Sequence, residues 1–202
     1  MLTLARPDTF KNLQLNAGIF LVNFDYSAVK TKEQLIKAIE TAVKDEKKIL
    51  GATKGGGSFA CTPTIRKIEV DGMRNPFPGS QVIDEWQVKL STTLTELTPS
   101  NLEIAFTTGE ATTSTDGITT LKIKSDLNNN DYVDKLCWIG DLSDGRYILI
   151  NITKALNTVG ATLTFADKGE GSIPVEFTAH QEGIFSEYLP VEVIFLGTKA
   201  TA

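Results

Sequence analysis

The sequence has little of what most enzyme active sites use. Its 202 residues include one histidine and two cysteines. Histidine is the side chain that most often transfers protons near neutral pH, and His180 has no recognisable partner along the chain. The chain also lacks a Gly-x-Ser-x-Gly elbow, a Walker loop and a dinucleotide-binding fingerprint. We therefore predict that the protein is not an enzyme and that it uses no cofactor.

Disulfide, metal and membrane signals are also missing. Cys61 and Cys137 lie in alternating apolar segments without metal-ligand or redox spacing, so we expect two small, reduced, buried side chains. The longest apolar run, residues 17–22, is far too short to span a bilayer. The N-terminus has no signal-peptide pattern. These features predict a soluble protein that is made in a cytoplasm and has no membrane partner.

The charge and composition limit the remaining classes. The net charge is −5, whereas proteins that grip nucleic acid need a basic face. The chain is 41% hydrophobic and 22% charged, as in an ordinary globular protein. This length is enough for one proper core. We expect a single domain over residues 1–202.

Two helices are predicted. Thr31 and Gln34 have the spacing of a capping box, and a helical apolar stripe follows them. That stripe should lie against a sheet, and it consists of Leu35, Ile36, Ile39, Ala42 and Val43. Thr98 and Pro99 have the pattern of an N-cap followed by proline at the first helical position, so a short second helix should end near Phe106.

The rest of the chain is typical of short strands and turns. An N-terminal arm (1–12) should precede a first strand at 13–24, and three adjacent glycines indicate a flexible loop at 51–57. Asp-Gly, Asn-Pro and Pro-Gly pairs predict a hairpin loop at 71–80, and a Thr- and Gly-rich loop should cover 109–117. The predicted strands are 58–70, 81–97, 118–125, 134–142, 146–153, 161–166, 173–180 and 189–196. The predicted fold is mainly β: a sandwich or partial barrel with one flanking helix and a short second helix.

The strand at 81–97 is unusually long. Seventeen residues would span roughly 55 Å, although a strand is usually about five or six residues long. We expect part of it to bend or to pair outside its own domain. Val82, Trp86, Val88, Leu90 and Leu94 alternate with a polar face made of Glu85, Gln87, Lys89, Ser91, Thr93 and Thr95.

Two other features have a possible binding role. Oxygen-bearing side chains alternate over residues 126–134, but Asp131 and Cys137 stand where a calcium-binding EF-hand needs Gly and Glu, so a polar turn is the preferred interpretation. Trp86 and Trp138 would suit a sugar-binding platform, although packing in the core is the simpler interpretation.

Four stretches of the sequence resemble the tail tube (major tail) proteins of phages and prophages of Gram-positive bacteria. The first is residues 51–72, which begin GATKGGGSF and end IEVDG, and the second is VIDEWQV at 82–88. TPSNL at 98–102 continues the likeness. LTFADKGEGSIPVEFTAH at 163–180 completes it.

This resemblance implies a structural subunit that forms hexameric rings stacked into a hollow tube. Long hairpins of all subunits would line a channel for the tape-measure protein and, non-specifically, for DNA. The strands at 58–70 and 81–97 would pair there, and the polar face listed above would be the candidate lumen lining. The candidate inter-subunit loop is Met73, Arg74, Asn75, Pro76, Phe77, Pro78 and Gly79.

The implied location is the tail of a virion, after synthesis in the bacterial host cytoplasm. Further expected partners are tail terminator and baseplate proteins. Two alternatives stay open: another virion structural protein, such as a terminator or decoration protein, or a β-sandwich module that binds a ligand or carbohydrate.

Overall fold

A computed structural model of the chain describes residues 9–165, 167–183 and 186–197. Within these ranges the helices are α1 (Lys32–Ala42) and α2 (Pro99–Ala105). The strands are β1 (Ile19–Leu21), β2 (Thr53–Lys67), β3 (Gln81–Leu94), β4 (Gly109–Thr113), β5 (Thr119–Ile123), β6 (Val133–Asp141), β7 (Tyr147–Asn157), β8 (Ile173–Ala179) and β9 (Val191–Leu196). The predicted mainly β fold with two helices is confirmed.

One large antiparallel sheet bends over itself to make a sandwich. Its strand order is β1-β6-β7-β8-β3-β2, and β9 also pairs with β7. β9 pairs with residues 147–152 of β7, whereas β8 pairs only with residues 155–157. The sheet therefore divides at β7 into two layers. We call them the β6–β7–β9 layer, which includes β1, and the β2–β3–β8 layer.

The main core lies between the two layers. Leu90 of β3 and Phe177 of β8 belong to the same buried cluster as Phe20, Leu136 and Ile152 of the other layer. These side chains are at most 3% exposed. We call the side of each layer that faces this core its inner face.

Helix α1 covers the other side of the β6–β7–β9 layer. Leu35 and Ala42 of the helix are buried against Cys137, Ile139 and Leu149. The Thr31–Gln34 capping box forms as predicted. The rest of the predicted stripe is less buried: Ile39 packs partly, whereas Ile36 and Val43 are exposed.

The second helix also begins as predicted. Thr98 is its N-cap, with its side chain accepting a hydrogen bond from the Asn101 N–H, and the helix ends at Ala105. The predicted hairpin around Ser143–Arg146 is present as β6 and β7.

The structure corrects four predicted segments. The first strand is only β1, with a single bridge from Gln14 to Leu142. Residues 109–113 form β4 instead of a loop, because β-branched threonines pair well with those of β5. Residues 161–165 contain no strand beyond a bridge from Thr164 to Ser172, and residue 166 lies outside the described residues.

The fourth correction is the glycine-rich segment 51–57. The predicted loop is wrong for residues 53–57, which belong to β2. Between the pairs Thr53–Leu94 and Gly57–Thr92, β2 has more residues than β3, and this excess is a bulge. Gly55 and Gly56 lie there with φ of 80° and 75°, a backbone that glycine adopts readily.

Residues 9–12 of the predicted arm form a short 3₁₀ turn against the β6–β7 hairpin, where Arg146 donates to Asn12 Oδ1 at 2.8 Å. Residues 1–8 lie outside the described residues. In the described ranges, α1 and α2 are both too short to cross a membrane.

Candidate assembly surface

β2 and β3 form a long two-stranded ribbon, as the resemblance implied for these two segments. They pair along nearly their whole length, from Thr53–Leu94 to Lys67–Gln81. β8 pairs with β3 only over residues 89–94. We call residues 53–60 and 88–94 the proximal ribbon, and residues 61–87 the distal ribbon. Each distal strand has seven residues, which span roughly 23 Å.

The distal ribbon is a two-stranded hairpin without further strands beside it. Within the described parts of the chain, residues 81–87 of β3 pair only with β2, and no strand pairs with the outer edge of β2. Two-stranded hairpins are marginally stable in water, and unpaired edges are templates for pairing with another chain. The distal ribbon therefore has free strand edges that are open to pairing with another chain.

The register gives the distal ribbon one apolar face. Cys61 pairs with Val88, Pro63 with Trp86, and Ile65 with Ile83. Paired residues lie on the same side of a sheet. Because Val88 lies in the core, this side continues the inner face. We call its apolar members on the distal ribbon the inner row: Cys61, Pro63, Ile65, Ile83 and Trp86. Pro63 is half-buried and the other four are exposed.

A bulge at Asp84 keeps a charge out of the inner row. Thr64 pairs with Glu85 but Ile65 pairs with Ile83, so Asp84 has no opposite residue. In an unbroken register Ile65 would face Asp84. Instead, the Asp84 carboxylate accepts from Arg66 Nε at 2.9 Å on the outer face. The bulge also moves Val82 opposite Arg66, so its predicted place on the apolar face is wrong.

The inner row is exposed rather than buried. Ile65 is 54% exposed, Ile83 50% and Trp86 40%, whereas neighbouring Val88 is 3% exposed. With Ile68, Val70 and Phe77 in the connecting loop, the distal ribbon presents on the order of 500 Å² of apolar side chain. The largest apolar patch on a typical soluble monomer is about 300–600 Å² and is often functional, so an area of this size is compatible with an interaction site.

The hairpin loop at 68–80 is held at its base. Buried Ser80 accepts from the Phe77 N–H at 3.0 Å and donates to the Phe77 carbonyl at 2.8 Å. Its own carbonyl accepts from Ile68 N at 2.8 Å. Phe77 is 60% exposed. Of the candidate inter-subunit residues 73–79, Met73 is half-buried and the rest are exposed.

The predicted polar face does lie on one side of the ribbon. Glu85, Gln87, Lys89 and Ser91 pair with residues 64, 62, 60 and 58 of β2, and Thr93 pairs with Pro174 of β8. Thr95 follows β3 and donates its hydroxyl to the Ala52 carbonyl. Glu85 and Gln87 are exposed, whereas the other four are half-buried. This outer face is polar and continuous across the three strands of its layer.

Ion pairs mask the cations of the outer face. Lys89 Nζ lies 2.7 Å from Glu176 Oε1, and Arg66 pairs with Asp84. Glu85 adds a further carboxylate. The outer face therefore presents no unpaired cation at these two positions to attract a phosphate backbone.

The two tryptophans do not form one platform. Trp86 lines a groove of about 420 Å³ with His180 and Pro190. Trp138 lines a different cavity of about 470 Å³ with Phe20 and Phe59. Its indole N–H donates to the Ala17 carbonyl at 2.9 Å, so this polar group is already used.

The remaining sequence candidates have ordinary local partners. In segment 126–134 Asp131 accepts from Lys124 and from the Asn128 N–H, and the Lys124 hydrogen bond holds its pKa below the usual range. Among the described residues, no cluster of His, Cys, Asp or Glu could hold a metal ion. His180 Nδ1 lies 3.0 Å from the Thr178 carbonyl, and its ring meets Tyr132 edge-on.

The two cysteines differ from each other. Cys137 is buried, as predicted, and burial raises its pKa to about 12. Cys61 is exposed, so the prediction of a buried side chain is wrong there. It pairs with buried Val88, as a residue of a core strand would, but among the described residues no strand of the opposite layer covers its side chain.

Sequence reasoning missed the exposure of Ile65 and Ile83. The one available signal was length, since a strand longer than its domain must leave the core somewhere. Comparison with models of known protein families gives no match, and comparison with curated proteins gives none either.

Proposed function

We propose that this chain is a structural subunit of a phage tail tube, which self-assembles into stacked rings around a channel. The observation that carries the proposal is the distal ribbon, which leaves the core with an apolar inner row and unpaired edges. A surface of this kind is stable when other copies cover it. The resemblance of residues 51–72, 82–88, 98–102 and 163–180 to tail tube proteins supports the same assignment.

The outer face suits the wall of a channel for DNA. A lining with masked cations gives a passing duplex no basic contacts with which to exchange its counterions. Lys89 and Arg66 each have a carboxylate within 3 Å. The inner row would then point away from the channel and take part in contacts between subunits.

Electron microscopy of the purified protein tests the proposal directly. We expect hollow tubes of uniform diameter at high concentration. The double variant Ile83→Ser/Trp86→Ser should remain folded but form no tubes, because its inner row is polar. Ile123→Ser is the matched control, since Ile123 of β5 is 59% exposed but lies outside the ribbon. This control should assemble normally.

Two further variants test whether tube formation requires the hairpin loop and whether it requires the histidine. Deletion of residues 73–79 should abolish tubes, whereas His180→Gln should leave them intact. Circular dichroism and urea unfolding check that each variant is folded. A wild-type protein that stays monomeric at every accessible concentration would overturn the tail tube assignment. A ring that closes without stacking would favour a terminator instead.

A further inference from the structure

A second uncovered apolar surface lies on the opposite layer of the sandwich. Ile150 pairs with Val193 and Ile148 with Phe195, so these side chains share one side of β7 and β9. Because Ile152 and Val191 on the same side contact the core, this is the inner face. We call Ile148, Val193 and Phe195 the sheet patch. Phe195 is 57% exposed and Val193 48%, and Ile148 is half-buried.

The inner row and the sheet patch are both inner faces that the opposite layer fails to cover. The β2–β3–β8 layer extends past the core at the distal ribbon, and the β6–β7–β9 layer extends past it near Phe195. The inner row and the sheet patch consist of uncharged side chains, and the nearest charge on the inner side of the ribbon is Lys67, one same-side pair beyond Ile65 and Ile83. Burying the two surfaces against each other therefore takes no ion of their own out of water. Within the core of one subunit, the inner faces of these two layers already pack against each other.

We propose that the inner row of one copy packs on the sheet patch of the next copy, which completes the sandwich between subunits. This inference rests on the proposed function and names the contact through which its rings would form. The contact joins two different surfaces, so every subunit contributes both and the chain of contacts continues around a ring.

Coverage of both surfaces favours this arrangement over a simple two-fold dimer. Pairing two inner rows would leave both sheet patches exposed. The head-to-tail contact covers both surfaces of every subunit.

The native cysteines allow a sharp cross-linking test. Cys61 is exposed on the inner row, whereas Cys137 is buried and its high pKa keeps the thiol protonated. In the variant Val193→Cys, each subunit carries one reactive thiol on each surface. Mild oxidation of the assembled protein should give a ladder of covalent dimers, trimers and larger species on a non-reducing gel.

Two controls fix the surfaces involved. Glu192→Cys places an exposed thiol one residue away on the other side of β9, and it should give no ladder. Val193→Cys combined with Cys61→Ser and Ala60→Cys moves the ribbon thiol to the outer face, opposite Lys89. This triple variant should also give no ladder.

Four other outcomes are distinguishable, and the first three overturn the inference. An intrachain disulfide in a monomer would show that the ribbon folds back on its own sheet patch. Dimers alone, formed equally well without Val193→Cys, would show two inner rows in contact. Tubes under the microscope without a ladder would overturn this contact but keep the tail tube assignment. A ladder without tubes would keep the contact and overturn the tail tube.

Discussion

The two halves of the β2–β3 ribbon have the same backbone pairing but different surroundings. In the proximal ribbon, Leu90 and Leu94 of β3 are at most 2% exposed, because β6, β7 and β1 lie opposite. In the distal ribbon, Ile83 and Trp86 continue the same face but are 50% and 40% exposed. Alternation of apolar and polar residues thus specifies a face, whereas burial depends on what the rest of the chain places against that face.

This difference separates folding from assembly. A truncation in the proximal ribbon opens a cavity in a core that the isolated subunit needs. A truncation in the distal ribbon removes surface that water already reaches. We expect the two halves to respond oppositely when the stability of the monomer and its ability to assemble are measured on the same variants.

The largest expected effect comes from Leu90→Ala compared with Ile83→Ala. Leu90→Ala should lower the free energy of unfolding of the monomer by about 2–5 kcal/mol, because it leaves a cavity among packed side chains. Ile83→Ala should change it by less than about 0.5 kcal/mol. Urea unfolding at low protein concentration, followed by circular dichroism, measures both values.

In an assembly assay the same two variants should rank the other way, with the larger effect for Ile83→Ala. Ile83→Ala should raise the protein concentration at which oligomers appear by light scattering. If Ile83→Ala destabilised the dilute monomer as much as Leu90→Ala, the distal ribbon would be part of the subunit core, and the comparison between the two halves would be wrong.

A second test concerns the glycine-rich start of the ribbon. A Cβ at Gly57 would come within 2.7 Å of the Ser91 carbonyl and 2.8 Å of the Phe20 ring. Gly57→Ala should therefore destabilise the protein by about 1–3 kcal/mol, as other overpacked sites do. In a flexible loop the same change would stabilise by about 0.4–1 kcal/mol, since alanine restricts the unfolded chain. The sign of the change in urea midpoint distinguishes the two.

Gly183 is the matched control for Gly57. A Cβ there meets nothing within 4 Å, and its φ lies outside the left-handed region. Gly183→Ala should leave the midpoint unchanged or raise it slightly. An equal loss of stability in both variants would mean that the contact with Phe20 is not the cause.

Features that depend on residues close in sequence were predictable. The capping box at Thr31 and the Thr98 N-cap both formed, because each involves groups within three residues of one another. The pairing of β2 with β3 was implied by the resemblance to tail tube proteins, and the turn-rich loop between the two segments agrees with it. The polar face from Glu85 to Thr93 followed from the two-residue period of a strand.

Features that depend on distant parts of the chain were not predictable. The contact with Phe20 makes Gly57 part of a packed strand, although three glycines in a row indicate a loop. The bulge at Asp84 changes the side on which Val82 lies, and alternation alone does not reveal where the period breaks. Exposure of the inner row depends on where the opposite layer ends, which no local pattern records.

The smallest expected effect is a difference in coupling energy between the two ion pairs of the outer face. Lys89 and Glu176 lie on the proximal ribbon and β8, where their side chains are 34% and 29% exposed. Arg66 and Asp84 lie on the distal ribbon and are 61% and 41% exposed. Partial burial reduces screening by water and salt, so double-mutant cycles should give a coupling energy of about 1 kcal/mol for the first pair and about 0.3 kcal/mol for the second.

For assembly, the Arg66–Asp84 pair should matter more than the Lys89–Glu176 pair, because it keeps a carboxylate off the inner row. It contributes little to the stability of the monomer. Asp84→Asn should leave the urea midpoint of the dilute protein nearly unchanged, yet it weakens the interaction that holds residue 84 on the outer face. The onset of light scattering should therefore move to higher concentration for Asp84→Asn and stay in place for Glu176→Gln. An onset that moves equally in both variants would show that the effect is general electrostatics of the outer face and not the geometry of the bulge.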